Sequence, residues 1–194
     1  ALSSAASDVY KRQDPMQTKD LSATVDYMLA DDVQTADHVE LKATVQVLED
    51  DTLPTAGVTA KVYPGWKLEK ITVDGVTVEE LPSEVKDKSK VIYHYTADFS
   101  GLDAAGFEEF YNGQPYHVNV TGALESDVIR YYTADTNSDQ YAAMTRSEIQ
   151  NAFVNVSDSA SVMVEVVRGS NAQTWTKQVE AVVKPVDVAV SYTH

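Results

Sequence analysis

Apolar and polar residues alternate at every second position along most of this chain. An alternation of period two places one set of side chains on one face of a β-strand, so it predicts half-buried strands. Valine and tyrosine supply much of the apolar set, as expected where β-branched and aromatic side chains pack on a pleated sheet. The pattern predicts an all-β fold, with its clearest strands at 21–29, 39–47, 116–120, 162–166, 175–183 and 186–192.

Three short segments stand out from the strand pattern. Residues 100–113 and residues 145–153 have apolar residues at helical spacing, and the T-x-x-E of 145–148 fits a capping box. We expect one or two short helices there, in connections between strands. Asp74-Gly75 lies between two valines and predicts a two-residue hairpin turn, because its glycine tolerates a positive φ.

The segment 100–113 also predicts a domain boundary. We expect a β-sandwich at 19–99, a linker with a short helix at 100–113 and a second β-sandwich unit at 114–194. One enlarged sandwich is the alternative, since a single all-β domain can reach about 200 to 250 residues.

Residues 3–13 read SSAASDVYKRQ and resemble the translation of a transposase sequencing adapter. Such a segment is not part of a fold. We therefore expect residues 1–18 to be a disordered, adapter-derived leader. The same resemblance implies that the chain is a metagenomic fragment.

Composition excludes several classes of protein. The chain has 30 acidic residues against 15 lysines and arginines, a formal charge of -15, which disfavours binding to nucleic acid or to an anionic bilayer. It has no cysteine, which excludes disulfides, thiolate metal sites and cysteine nucleophiles. No apolar run reaches the roughly 18 residues that a membrane span needs. The common hydrolase, kinase and dinucleotide motifs are absent, and we expect no enzymatic activity.

The stretch from 45 to 99 contains VQVLEDDTLPTAG, VYPGW and VIYHYTADF. It resembles the extracellular Ig-like conserved-repeat modules of bacterial surface proteins, over about residues 20–98, with the second unit as a further candidate. The residues that carry the resemblance form a D-x-L-P turn and a closing strand, namely Asp51, Leu53, Pro54, Gly57, Val91, Tyr93 and Tyr95. The resemblance implies an Ig-like β-sandwich in an extracellular or cell-surface protein.

These observations predict a non-enzymatic structural or adhesive module of a bacterial cell-surface or secreted protein. Its partner would be a host glycan, a protein or a cell-wall component. The alternative is a carbohydrate- or peptide-binding module of a secreted enzyme or phage fibre. Adjacent residues on a strand point to opposite faces, so aromatic neighbours leave one ring exposed. The candidate binding residues are Tyr63, Trp66, Tyr131 and Tyr132.

Asp135, Asn137 and Asp139 have the D-x-N-x-D spacing of a calcium loop. Gln140 and Arg146 stand where an EF-hand needs glycine and a bidentate glutamate, so the segment is not an EF-hand. A looser calcium site is one interpretation, and a plain polar loop is the stronger one. We expect no other cofactor.

Lys177 shares a strand face with apolar residues, which would suit an internal amide crosslink of the kind found in bacterial surface sandwiches. Asn155 would be its partner, and Glu165 the assisting acid. A lysine whose stem covers apolar surface while its ammonium reaches solvent is the stronger interpretation.

Overall fold

The computed structural model describes residues 17–30, 33–134, 141–144 and 146–189. Over these residues the chain forms fourteen β-strands, one α-helix and one turn of 3-10 helix, which confirms the all-β fold class. The chain divides into two compact units. Unit 1 comprises the described residues up to Tyr63 together with Lys67–Thr96, and unit 2 comprises Pro64–Trp66 together with the described residues from Ala97 onward.

The first seven strands build two sheets. Five of them form a sheet in the order β2-β1-β7-β4-β5, and β3 pairs with β6 in a sheet of two. The strands are β1 (Thr18–Leu29), β2 (Val33–Gln46), β3 (Thr52–Pro54), β4 (Trp66–Val73), β5 (Val76–Val78), β6 (Glu84–Lys86) and β7 (Lys90–Ala97).

The core of unit 1 lies between these sheets and follows the predicted alternation. The central strands β1 and β7 bury Val25, Tyr27, Val91 and Tyr93 almost completely. Strand β2 forms as predicted, but the apolar residues of its inner face from Val39 to Val45 are only half-buried, because among the described strands β2 pairs with β1 alone.

The Asp74-Gly75 hairpin is confirmed. It joins β4 to β5, and Val73 lies opposite Val76. Asp74 and Gly75 have φ values of 50° and 81°, the two positive values that a type I′ turn requires.

Unit 2 also has a five-stranded and a two-stranded sheet. The larger has the order β12-β11-β13-β14-β9, and the smaller pairs β8 with β10. The strands are β8 (Asp103–Ala105), β9 (Phe107–Phe110), β10 (Asn119–Thr121), β11 (Val128–Ala134), β12 (Tyr141–Met144), β13 (Ala160–Arg168) and β14 (Gln173–Lys184).

The core of unit 2 is built mainly from the predicted faces of β13 and β14. One short helix, α1 (Arg146–Ala152), forms within the segment where a helix was expected, and a 3-10 turn follows at Val156–Asp158. Ile149 of α1 and Phe153 just after it are 1% exposed and complete the core.

The helix expected at 100–113 is wrong, and so is the linker. The segment instead forms β8 and β9, which belong to unit 2. Leu102 and Ala104 are buried in strand alternation. Gly106 lies between the two strands, where an added Cβ would come within 1.9 Å of the Glu180 carbonyl oxygen. A glycine there lets the backbone pass from the small sheet to the large one in close contact with β14.

The strand expected at 186–192 is absent from the part that the structure describes. Strand β14 ends at Lys184, and residues 185–189 carry no strand assignment. Val186 and Val188 are 50% and 79% exposed. Alternation alone does not make a strand where no neighbouring strand pairs with the backbone.

Candidate functional site

An early strand and the last strand of unit 1 are neighbours that run in the same direction. Strands β1 and β7 pair in parallel from Thr24 opposite Lys90 to Leu29 opposite Tyr95. Backbone hydrogen bonds continue the ladder at both ends. The Thr24 N–H donates to the Ser89 carbonyl at 3.1 Å, and the Ala30 N–H donates to the Tyr95 carbonyl at 2.8 Å.

Unit 2 repeats this arrangement with a shorter ladder. Strands β9 and β14 pair in parallel from Phe107 opposite Ala181 to Phe110 opposite Lys184. The Tyr111 N–H then donates to the Lys184 carbonyl at 2.9 Å. We call these two ladders the terminal strand pairs.

Four tyrosines form a cluster at the terminal strand pair of unit 1, and three of them belong to its two strands. Tyr27 stacks on Tyr93 with ring centroids 5.0 Å apart, and Tyr63 meets Tyr95 edge-on at 4.9 Å. The Tyr27 hydroxyl donates to the Thr59 carbonyl at 2.9 Å. These contacts hold the long connection between β3 and β4 over the sheet.

Polar contacts at the edge of this tyrosine cluster involve Asp37 on β2. The Tyr63 hydroxyl donates to Asp37 Oδ2 at 2.6 Å, and Lys61 Nζ lies 2.8 Å from Asp37 Oδ1. Hydrogen bonds from Lys61 and Tyr63 lower the pKa of Asp37. Burial, followed by the hydrogen bond to Asp37, raises the pKa of Tyr63 to about 12. The phenol therefore remains a neutral donor at physiological pH.

Unit 2 contains a buried ion pair at the end of β13. The Arg168 and Asp127 side chains are 2% and 0% exposed. Arg168 Nε and Nη2 donate to the two Asp127 oxygens at 2.8 and 2.6 Å. Nη1 donates to the Gly65 and Asp98 carbonyls at 2.8 Å each, and the guanidinium lies 5.1 Å from the centroid of the Phe99 ring.

The surroundings of Asp127 account for its charge. Burial alone would raise the pKa of Asp127, but the Arg168 guanidinium and the Leu124 N–H outweigh it, and the pKa is lowered. The carboxylate is therefore ionised at neutral pH, and both of its oxygens accept hydrogen bonds. Such a pair fixes backbone positions and has no free group for chemistry.

The four aromatic residues predicted as binding candidates do not form one platform. Tyr63 belongs to the tyrosine cluster, and Trp66 is half-buried. Tyr131 is 2% exposed and packs in the core of unit 2, where it also lines a small cleft. Tyr132 points to the opposite face, as its position beside Tyr131 predicts, and its hydroxyl donates to Glu165 at 2.8 Å.

The three crosslink candidates each bond to a different partner, and Glu165 lies opposite Thr176, on the other sheet face from Lys177. Exposed Lys177 pairs with Asp103 at 2.5 Å. Asn155 is exposed and donates to Asp158, and Glu165 accepts from Tyr132. Lys177 keeps the face that alternation predicts, since it lies opposite buried Val164, but its side chain is 43% exposed because the buried part of β14 begins at Val179.

The calcium-loop candidates Asp135, Asn137 and Asp139 lie outside the described residues. Among the residues that the structure does describe, no three acidic or histidine side chains come together as a metal site. No helix in that part of the chain is long and apolar enough to cross a membrane.

Clefts in the described parts of the two units are small or open. One of about 170 Å³ in unit 2 lies between β10, β11 and α1, with His117, Asn119 and Gln150 in its lining. Pockets for drug-sized ligands usually enclose about 300 to 1,000 Å³. A groove of about 460 Å³ lies over the polar face of β1 and β2 in unit 1.

Sequence reasoning missed an exposed aromatic pair in unit 2. Phe110 and Tyr111 are 57% and 45% exposed at the end of β9, an edge strand. Lys184 Nζ lies 4.4 Å from the centroid of the Phe110 ring. The expected helix would have turned Phe110 inward, so the sequence did not predict that this pair is exposed.

Comparison of the chain with protein-family models, curated proteins and solved structures finds no match.

Proposed function

We propose that this chain is a non-enzymatic, load-bearing module of a bacterial cell-surface or secreted protein. One observation carries the proposal: each unit joins an early strand to its last strand in parallel. A module that spaces or displays another domain is pulled through its two chain ends. The terminal strand pairs are the contacts that such a pull would load.

The direction of the load follows from the parallel pairing. In unit 1 the chain enters β1 at one end of the ladder and leaves β7 at the other end. A pull on the two ends therefore slides one strand along the other and strains all the hydrogen bonds of the ladder together. Were the two strands antiparallel neighbours, the same pull would open the ladder one bond at a time.

The same reasoning ranks the two units. The ladder of unit 1 spans the residues from Thr24 to Leu29 on β1, whereas that of unit 2 spans Phe107 to Phe110 on β9. The longer ladder has more bonds to break together. Unit 1 should therefore unfold at the higher force.

The strand order of unit 2 supports an Ig-like sandwich as the fold of the proposed module. Immunoglobulin sandwiches of the variable type place their C′, C, F and G strands side by side. The order β12-β11-β13-β14 in unit 2 has the same sequence of neighbours. The charge of -15 and the absence of cysteine fit an acidic envelope module that is stabilised by sandwich packing alone.

Single-molecule pulling in two directions tests the proposal. One measurement pulls the wild-type chain from its ends. The other pulls the double variant Thr24→Cys/Lys90→Cys through the two introduced thiols, which lie opposite each other at one end of the ladder. The second geometry opens the ladder bond by bond. We expect the end-to-end force for unit 1 to be severalfold higher, and equal forces in both directions would contradict the proposal.

Oxidation of the same variant identifies which event belongs to which unit. A disulfide between residues 24 and 90 bypasses the chain between them, so end-to-end pulling should lose one event of about 230 Å. The matched pair Glu108→Cys/Val182→Cys, at opposed positions of β9 and β14, should remove the other event. Reduction restores both events in the same molecules.

A carbohydrate- or peptide-binding module is the second candidate, and the exposed Phe110 and Tyr111 favour it. Aromatic faces at a sheet edge can stack on sugar rings or apolar side chains. Titration with oligosaccharide and peptide panels, followed by tyrosine fluorescence, tests this function. Binding that is lost in Phe110→Ala and Tyr111→Ala, and kept in Tyr132→Ala, would support it.

A further inference from the structure

Strand β2 of unit 1 pairs with β1 along one edge, and its other edge pairs with no strand among the residues that the structure describes. Strand β2 runs for 14 residues, against a mode of about 5 to 6 for strands in globular proteins. The Val47 N–H donates to the Gln17 carbonyl at 2.9 Å, which places the ladder bonds to β1 on odd-numbered residues of β2. In an antiparallel pair the intervening residues point their N–H and C=O groups the other way. The even-numbered residues therefore face the open edge.

The side chains of β2 are arranged differently on its two faces. Val39, Leu41 and Ala43 are only half-buried on the inner face. Glu40 and Lys42 on the outer face form an ion pair within the strand at 3.1 Å, with side chains that are 52% and 70% exposed. Natural proteins usually shield such an edge, since it can pair with another strand.

We propose that β2 pairs antiparallel with β2 of a second copy of this chain, about a two-fold axis at Leu41. The sequence of the strand is self-complementary in this register. Glu40 lies opposite Lys42 of the second copy, and the symmetry repeats that pair. Leu41 faces its own counterpart, and Val39 faces Ala43, so the half-buried apolar strip becomes continuous between the copies.

Backbone geometry agrees with this register. Glu40 and Lys42 are both even-numbered, so the outward N–H and C=O groups of the two copies meet as hydrogen-bonded pairs. A register centred on Glu40 or on Lys42 would place two like charges directly opposite each other, which is destabilising in a sheet. Among the registers centred on Glu40, Leu41 and Lys42, only the one centred on Leu41 sets opposite charges against each other, and this self-complementarity favours a second copy as the occupant.

Net charge sets the conditions under which the dimer forms. Each copy carries -15, so two copies repel at low ionic strength. The Debye length falls to about 8 Å at 0.15 M salt, which screens distant charges more than the facing pairs. The dimer should therefore form at physiological salt and weaken as salt is removed. It is independent of the load-bearing proposal, because it uses the opposite side of β1.

Sedimentation velocity over a range of protein concentrations tests the proposal. Wild type should show a reversible monomer–dimer equilibrium. Glu40→Lys places a lysine opposite Lys42 of the other copy at both symmetric contacts. This variant should raise the dissociation constant at least about tenfold. The exchange Glu40→Lys/Lys42→Glu restores opposite charges and should restore the dimer. Glu69→Lys, at an exposed site on β4, makes the same change in net charge as a control and should leave the dimer intact.

Amide hydrogen exchange locates the interface independently. Dimerisation should protect the outward amides of Glu40, Lys42 and Thr44, and leave the exchange of β5, the opposite edge strand of the same sheet, unchanged. Three results would overturn the proposal: a wild-type monomer at every concentration and salt, a Glu40→Lys variant that dimerises normally, or a charge exchange that does not restore pairing. A wild-type dimer with no protection on β2 would overturn it as well.

Discussion

Replacing Arg168 with alanine should unfold unit 2 before unit 1. The side chain is 2% exposed, and it bonds both oxygens of Asp127 and the carbonyls of Gly65 and Asp98. Alanine removes all of these donors at once. It leaves the Asp127 carboxylate inside the unit with a single backbone donor, the Leu124 N–H, at 2.8 Å.

The size of the effect follows from the buried charge. Removing one partner of a buried ion pair costs about 3 to 5 kcal/mol, because the remaining charge is uncompensated. Domains of this size are stable by about 5 to 15 kcal/mol. In a domain of 60 to 100 residues each kcal/mol shifts Tm by about 4 to 8 °C, so Tm of unit 2 should fall by about 12 °C or more.

Urea denaturation followed by tryptophan fluorescence measures this change in unit 2, because Trp66 and Trp175 both belong to that unit. Arg168→Lys should fall between wild type and alanine, since an ammonium keeps the charge but lacks the planar fork that meets both carboxylate oxygens. Arg130→Ala is the matched control on the neighbouring strand. Arg130 is 52% exposed and lies 3.6 Å from Glu165, so its loss should cost about 1 kcal/mol or less.

The reasoning fails if Arg168→Ala and Arg130→Ala shift the urea midpoint equally. It also fails if the alanine variant keeps wild-type stability, because an uncompensated buried carboxylate cannot be free of cost. Hydrogen exchange of β1 amides serves as the internal reference. Exchange in unit 1 should be unchanged at urea concentrations below its own transition.

Three further predictions concern glycine packing and pH. Gly106→Ala should destabilise unit 2 by about 1 to 3 kcal/mol in urea, because its Cβ would meet the Glu180 carbonyl at 1.9 Å, whereas Gly101→Ala, with nothing within 4 Å, should be neutral. The pKa of Asp127 is lower in the folded state than its value of about 3.9 in the unfolded chain. Its contribution to stability is therefore complete above about pH 3.9 and is lost as pH falls through the folded pKa. Calorimetry should show unit 2 losing stability below about pH 4. The pKa of Tyr63 is raised to about 12, so its contribution is present below about pH 10 and is lost as pH rises through the folded value. The pKa values of Tyr27, Tyr93, Tyr95 and Tyr132 are raised as well, so tyrosinate absorbance should show several late-ionising groups, one fewer in Tyr63→Phe.

Alternation in the sequence predicted which residues of the central strands face the core. Val25 and Val164 have the same local pattern, and both are completely buried. The pattern failed at 100–113, where apolar residues fit a helix as well as two short strands. The close contact of Gly106 with Glu180 favours the two strands over the helix. That contact arises only when the sheets pack, so the local sequence does not reveal it.

The functional features depend on which strands become neighbours, and alternation carries no information on that choice. Val25 would show the same pattern whether β1 paired with β2, with β7 or with both, because its side chain faces the core in every case. Strand β7, on which the proposed load-bearing role depends, pairs with β1 from 66 residues further along the chain, with Lys90 opposite Thr24. Arg168 shows the same limit for a buried charged residue. It continues the inward face of Val162, Val164 and Val166, so the sequence alone requires a buried partner for its charge, but any of the 30 acidic residues could have supplied it. Only the fold brings Asp127 to that position.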